Sequence, residues 1–248
     1  MIVLRYLYVA WAMLLFIFLL LVFYPILMAS RLMPPKRAHA YCNPILRAWS
    51  LIWLTLIFIR VKAVDRDKAK GNTPVVFATN HSSYLDTPVS YITVPELFKT
   101  LAKKELTKMP LMGHVFLTSG IMVDRNSPEG RKASFQRMVD VIKGGTSILI
   151  FPEGTQNRTP EPLRDFYAGA FRLAIETQVP LQPIVTVNSR WLMPSTKVLK
   201  LTPGTIRQVY LDPIPTAGMT SEDLDGLRDS VRSQLEAKLR ELDPHYAK

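Results

Sequence analysis

From Tyr6 to Ser30 the chain carries no charged residue (YLYVAWAMLLFIFLLLVFYPILMAS). A helix of this length, at about 1.5 Å per residue, covers a bilayer core of roughly 30 Å. Arg5 precedes the run, and Arg31, Lys36 and Arg37 follow it. Tyr6, Tyr8, Trp11 and Tyr24 stand toward its ends, where amphipathic rings favour the membrane interface. The length argues against a cleaved signal peptide, whose apolar core would be about 7–15 residues. A second apolar stretch, AWSLIWLTLIFI, runs from Ala48 to Ile59, between Arg47 and Arg60. That is short for a span and suits a re-entrant or interfacial helix. The link RLMPPKRAHAYCNP holds three prolines and reads as a turn. These features predict an N-terminal membrane-embedded helical hairpin, with residues 1–60 as a two-helix anchor and 61–248 as the catalytic domain. Whether the first arm crosses or only dips into the bilayer stays open. The basic residues after Ser30 favour a cytoplasmic position for the chain beyond them.

Charge distribution agrees with a lipid surface. The formal net charge is +11; positions 1 to 70 hold ten Lys/Arg against two acids, and the remainder 21 against 18. A nucleic-acid binder would usually spread basic residues over its folded domain, so no nucleic-acid partner is expected. A basic N-terminal third fits anionic headgroups instead. Cys42 is the only cysteine, which rules out an intrachain disulfide; among apolar neighbours it reads as inert packing.

Beyond the anchor, strand and helix signals alternate. Apolar, β-branched runs occur at 73–79, 120–123, 147–151, 181–187 and 206–211. Ser127 and Pro128 open a helical pattern whose stripe is Phe135, Met138, Val139 and Ile142, and Gly144 stops it. Another helix follows Tyr167. A last one starts at Thr220, with Asp223 completing a capping box and Leu224, Leu227, Val231, Leu235, Leu239 and Leu242 on one face. The fold class this implies is α/β, a mixed, mostly parallel sheet flanked by helices. No GxGxxG, P-loop, CxxC pair or GxSxG elbow is present.

The segment FATNHSSYLDTP places His81 and Asp86 five positions apart. In a helix that spacing rotates the side chains to about 140° from each other, and in a strand it puts them on opposite faces. A strand end turning into a helix start brings them together. Asp86 would then fix one imidazole nitrogen and leave the other as a general base. The alternative is a solvated loop histidine beside an unrelated helix-cap aspartate, and the segment alone leaves both readings open. Ser82 and Ser83 suit capping or turn roles better than a nucleophile's. His39 and His114 lack recognisable partners, and His245 falls in what reads as a frayed tail.

Three further segments come next in order: GIMVDR (120–125), FPEGT (151–155) and VPLQPIVTV (179–187). With NHSSYLD, these resemble the glycerolipid acyltransferase family typified by 1-acylglycerol-3-phosphate acyltransferase, over about residues 60–215. The resemblance implies that His81 takes the proton from a lysolipid hydroxyl while Asp86 orients it. The hydroxyl attacks the thioester of acyl-CoA or acyl carrier protein. It also implies that Glu153, Gly154 and Thr155 belong to the acceptor-binding surface, that Arg125 reaches the acceptor's phosphate, and that Lys104 contacts it too. Asp86, Glu153 and Arg125 should face one cleft. No cofactor is implied, and no metal, since no ligand cluster has suitable spacing.

The match departs at two positions. Gln156 and Asn157 follow Thr155 where relatives place an arginine, and FYAGA puts Tyr167 and Ala168 where a cation is common. Arg158 or Arg164 could compensate. Otherwise the acceptor is another lysolipid, such as a lyso-ornithine lipid. The expectation is a membrane-bound O-acyltransferase acting at the cytoplasmic face of a bacterial inner membrane. Its first-choice acceptor is 1-acylglycerol 3-phosphate, its partners the membrane lipids. A lipid hydrolase and a non-enzymatic membrane tether are the rival classes.

Overall fold

The computed structural model describes residues 2–69, 71, 74–124 and 127–246. Two helices, α1 (Ile2–Met28) and α2 (Pro35–Leu56), lead into β1 (Ile59–Val64) and β2 (Val76–Thr79). Then come α3 (Asp86–Thr93), β3 (Phe98–Lys103), α4 (Met112–Ser119), β4 (Gly120–Val123) and α5 (Pro128–Lys143). After them run β5 (Ser147–Ile150), α6 (Gly169–Thr177), β6 (Leu181–Val187), α7 (Ser189–Leu192), β7 (Gly204–Tyr210) and α8 (Leu224–Leu242).

The seven strands form one sheet in the order β1-β7-β6-β2-β5-β3-β4. Every neighbouring pair is parallel except β6 and β7. The sheet is thus mixed and mostly parallel, as expected. Period-two alternation sends Val76 and Ala78 of β2 to the layer of α5, α6 and α8. Phe77 points to the opposite layer, beside Leu46 of α2 and Tyr91 of α3. Strands β2, β5 and β6 are buried along their whole length, which explains their near-continuous apolar runs.

Helix α5 begins as its sequence predicts, with the Ser127 side chain accepting from the Gly130 amide at 2.9 Å and Pro128 in the first position. Met138, Val139 and Ile142 are buried. The capping box at Thr220 and Asp223 forms as well, opening a single tight turn before α8. Two strands escaped the sequence pattern. In β1 the alternation continues directly from the apolar tail of α2, and in β3 (FKTLAK) two lysines interrupt it.

The expected two-arm membrane hairpin is corrected. Among the described residues one helix alone, within Val3–Leu32, is long and apolar enough to cross a membrane. Helix α2 is no short apolar arm. It starts at Pro35, carries Lys36, Arg37, His39, Asn43 and Arg47, and packs on α1, α3 and α4. Of the prolines in the expected turn, only Pro34 stays outside a helix. Pro35 occupies the first helical position, where its fixed φ is suited and its missing N–H costs nothing. Pro44 sits inside α2, where packing on three sides overrides a local penalty of about 3 kcal/mol. Trp49 and Trp53 stack at 5.6 Å with Phe16 of α1 edge-on to both. Those tryptophans share a core with Leu85, Val89 and Ile206, and the Arg47 guanidinium donates to the Val94 carbonyl. The apolar character of Ala48–Ile59 is therefore divided: Trp49, Trp53, Leu54, Ile57 and Ile59 pack on protein, while Leu51, Ile52, Leu56 and Phe58 stay exposed.

Candidate active site

The parallel strands β2, β5, β3 and β4 end at one edge of the sheet, and each delivers a segment that carries candidate site residues. Strand β2 connects toward β3, on one side, while its neighbour β5 connects toward β6 on the other. Such a reversal opens a crevice beyond the carboxyl ends of the strands, where α/β sheets hold ligands.

Asn80 extends the pairing of β2 past its last residue. Its amide donates to the Thr186 carbonyl at 2.9 Å and accepts from the Thr186 N–H at 2.7 Å. The chain then turns sharply and enters α3 at Asp86, the strand-end-to-helix-start geometry that the five-residue spacing requires. Asp86 is fully buried, and its Oδ2 gathers three donors: the Ser82 amide at 2.7 Å, the Ser83 amide at 2.8 Å and His81 Nδ1 at 2.9 Å. A carboxylate only accepts, so Nδ1 carries a proton, and in the neutral imidazole Nε2 keeps its lone pair. Nε2 has no hydrogen-bond partner among the described residues, and the His81 side chain is 18% exposed. The imidazole lies flat on Phe151, with ring centroids 4.0 Å apart and planes 21° from parallel.

Neither serine is placed as a nucleophile. Ser82 Oγ sits 3.4 Å from Ser189 Oγ, while Ser83 Oγ donates to the Met193 carbonyl and accepts from the Leu85 amide.

The FPEGT segment wraps the histidine from behind. Glu153 is 1% exposed; its Oε1 accepts from the His81 backbone N–H at 2.7 Å and its Oε2 from the Arg164 N–H at 3.0 Å. Burial pushes this carboxyl up to about 7, against the pull of the two backbone amides and of His81, with Asp86 adding a small further push. Glu153 thus supports the His81 backbone, where the sequence pointed to a contact surface. Gly154 adopts φ +69°, a left-handed conformation natural to glycine, and Thr155 is exposed beside it.

Lys104 follows β3 and is mostly exposed, its Nζ 3.6 Å from Asp124 Oδ2 at the end of β4. Gly120 opens β4 where an added Cβ would lie 2.6 Å from the Phe116 carbonyl oxygen, so close packing requires a glycine. Arg158 and Arg164 are exposed. Gln156 is 8% exposed and Asn157 is 1% exposed. Arg125 lies outside the described residues. The structure therefore brings His81, Asp86 and Glu153 together. From strand spacing it sets Lys104 roughly 10 Å along the edge from His81.

Sequence reading missed Phe151 as the platform for the ring and the Asn157 N–H, which donates to the His81 carbonyl at 2.6 Å. It also misplaced the tail. His245 is docked, stacked on Trp191 at 4.1 Å with Nδ1 2.9 Å from Asp243 Oδ1. His114 bonds Ser30 Oγ through Nε2 at 2.8 Å. His39 is buried without a partner for either ring nitrogen, and burial lowers its pKa to about 4.

A carboxylate-steered imidazole with an unengaged nitrogen, at the carboxyl edge of an α/β sheet, has the geometry that a general base requires. The Acyltransferase family profile matches residues 60–187, and the chain belongs to that family. It is 30% identical over 187 residues to a Chlamydomonas reinhardtii 1-acyl-sn-glycerol-3-phosphate acyltransferase, covering 75% of this chain and 56% of the algal one. It is 30% identical over 200 residues to the human 1-acyl-sn-glycerol-3-phosphate acyltransferase alpha, covering 80% and 70%. The chain thus spans little more than half the length of the algal relative. The crystal structure of the 1-acyl-sn-glycerophosphate acyltransferase PlsC from Thermotoga maritima superposes with a TM-score of 0.79 at 22% identity, covering 96% of this chain and 97% of that one. The fold is shared across nearly the whole chain.

Proposed function

We propose that this protein is a membrane-bound O-acyltransferase that esterifies the free hydroxyl of a lysolipid, with His81 as general base. The observation that carries the proposal is the His81–Asp86 contact, with Nε2 unengaged among the described residues and the ring partly open to solvent. Nε2 takes the hydroxyl proton as the acceptor oxygen attacks the thioester carbonyl of the acyl donor. The C–O bond forms, the tetrahedral intermediate collapses, the C–S bond breaks, and the thiolate leaves with the proton from the imidazolium. Asp86 stays ionised and stabilises that imidazolium. No acyl-enzyme is required, in keeping with both nearby serine hydroxyls being held by other groups. That engagement weighs against a lipid hydrolase.

The acceptor we favour is 1-acylglycerol 3-phosphate, giving phosphatidic acid; similarity to acyltransferases named for that substrate supports it. Lys104, Arg125 and Arg158 are the cations assigned to its phosphate, and Thr155 is assigned to the same acceptor, since guanidinium and ammonium groups match a phosphomonoester. A lyso-ornithine lipid is the alternative. Gln156 and Ala168 supply no charge, which an acceptor without a phosphomonoester would not need. The donor is acyl-CoA or acyl carrier protein. Residues 1–60 would hold the site at a bacterial inner membrane, on its cytoplasmic face, and residues 61–248 would carry the chemistry. The membrane-length α1 supports the attachment.

The test is purified protein with a panel of lysolipids and one labelled donor, each product identified by mass. Acylation of 1-acylglycerol 3-phosphate is expected. Acylation of a lyso-ornithine lipid alone would overturn the acceptor, and free fatty acid formed without any acceptor would overturn transfer itself.

A further inference from the structure

The backbone of His81 is gripped on both sides by one loop. Glu153 accepts its N–H and the Asn157 N–H donates to its carbonyl, at 2.7 and 2.6 Å. The imidazole can face a substrate only if this stretch of main chain stays in place. What fixes the second grip is Asn157 itself. Its side-chain oxygen accepts from the Thr159 amide and hydroxyl at 2.9 and 2.8 Å, and its amide nitrogen donates to the Glu161 carbonyl at 2.8 Å. The loop from 157 to 161 is thereby folded onto a fully buried asparagine.

That loop is closed from outside by Arg190 of α7. Its guanidinium donates to the Thr159 carbonyl, to the Glu161 carbonyl at 3.3 Å, and to the Tyr246 hydroxyl at 2.8 Å. Thr159 and Glu161 are the two residues that Asn157 also holds. Tyr246, near the end of the chain, is 8% exposed and belongs to the core formed with α8. Arg190 thereby ties the loop that holds the His81 carbonyl to α7 and, through Tyr246, to the segment after α8.

We infer that Arg190 is a positioning residue for His81, acting through the Asn157 loop and braced by Tyr246. A guanidinium suits the task because its rigid fork serves several acceptors at once, whereas an ammonium is a single flexible point. Charge-assisted donation to carbonyls is stronger than the neutral kind. Arg190 touches neither His81 nor Asp86, so its loss would shift the base without removing it. The inference rests on the proposed general-base role of His81.

The experiment uses the full chain in detergent micelles and three variants: R190K, R190A and Y246F. R190K is expected to lower kcat about tenfold while KM for donor and acceptor stays within about twofold, since a sub-ångström displacement of a base slows chemistry more than binding. Y246F, which leaves both loop carbonyls bonded, is expected to lose less than R190K. A second readout does not need activity. The protein has four histidines, so 15N-labelled imidazole signals are few, and H81A identifies those of His81. In R190A the His81 pattern should move from a single Nδ1–H tautomer toward a mixture. An unchanged kcat and an unchanged tautomer pattern would overturn the inference. So would a raised KM at constant kcat, which would make Arg190 a ligand contact. If the wild-type protein transfers nothing, the general-base reading fails on its own, and the tautomer readout still decides the role of Arg190.

Discussion

Two histidine–aspartate pairs occur in this chain with nearly the same local geometry. In each, Nδ1 lies 2.9 Å from a carboxylate oxygen. In each, the ring lies on an aromatic neighbour, Phe151 at 4.0 Å or Trp191 at 4.1 Å, with the planes 21° apart. What differs is the surroundings. Asp86 begins a helix, accepts two backbone amides and is fully buried, and its histidine ends a central strand at the carboxyl edge of the sheet. Asp243 is buried too, and accepts from the Trp191 indole at 2.8 Å and the His245 N–H at 3.0 Å, but it follows the last helix, and the His245 side chain is 53% exposed against 18% for His81. A carboxylate beside an imidazole is thus a common local solution. What sets His81 apart is its place at the carboxyl edge of the sheet and a backbone held from both sides.

The largest test of that distinction is H81A. Removing the base should lower kcat/KM by about 10²–10⁴, the usual worth of general-base catalysis, in an assay with saturating acyl donor. A loss under tenfold would erase the difference between the two pairs. D86N comes next. All three donors meet the same oxygen, so an asparagine oxygen can take its place, but a neutral amide stabilises the imidazolium far less than a carboxylate does. A fall of roughly 10²-fold or more in kcat with little change in KM is expected. Near-UV circular dichroism should match the wild type, since the backbone donors remain satisfied.

The contact of His81 with Asp86 was one of two readings that their spacing left open, and the further segments in order, rather than the spacing, favoured it. The α5 cap and the stripe on α8 were legible for local reasons. The hairpin was not. Whether an apolar stretch meets lipid or protein depends on what the rest of the chain brings beside it, and Trp49 and Trp53 found a protein core. Glu153 likewise reads as a turn carboxylate until tertiary contacts place it behind His81. The tail at His245 looked free because its stacking partner, Trp191, lies far back along the chain on α7, with the whole of α8 between them.

Glu153 offers a third, smaller effect: it takes the His81 backbone N–H from a separate loop, whereas the His245 N–H goes to Asp243, the carboxylate that also meets its ring. Its folded pKa is raised to about 7, from an ordinary value near 4.5. A raised carboxyl contributes stability that is present below its unfolded pKa and is lost as pH climbs through the folded one. Between pH 4.5 and 7 the wild-type protein should therefore lose stability from this group, on the order of 3 kcal/mol at most. E153Q abolishes that titration but sets an amide NH2 against one backbone donor, a cost of about 1–3 kcal/mol independent of pH. Melting curves should show E153Q furthest below the wild type near pH 5, with the gap narrowing toward pH 8. A constant gap across that range would mean that Glu153 is not protonated in the folded protein at pH 5.

The smallest expected effect is the most discriminating. H245A removes a ring that stacks on Trp191 and pairs with Asp243, yet leaves the Trp191–Asp243 bond and the Arg190–Tyr246 contact intact. The lost stack is worth about 0.5–1.5 kcal/mol beyond its buried area. In a chain of this size each kcal/mol shifts the melting temperature by about 2–4 °C. The rate of acyl transfer should stay within about twofold of the wild type, because only groups that meet charge developing in the transition state change kcat strongly. Initial rates at saturating donor and acceptor, taken beside H81A in the same micelles, measure this directly. A loss in H245A comparable to that in H81A would mean that the C-terminal pair shares in the chemistry, and that the partition of roles by burial and strand position is wrong.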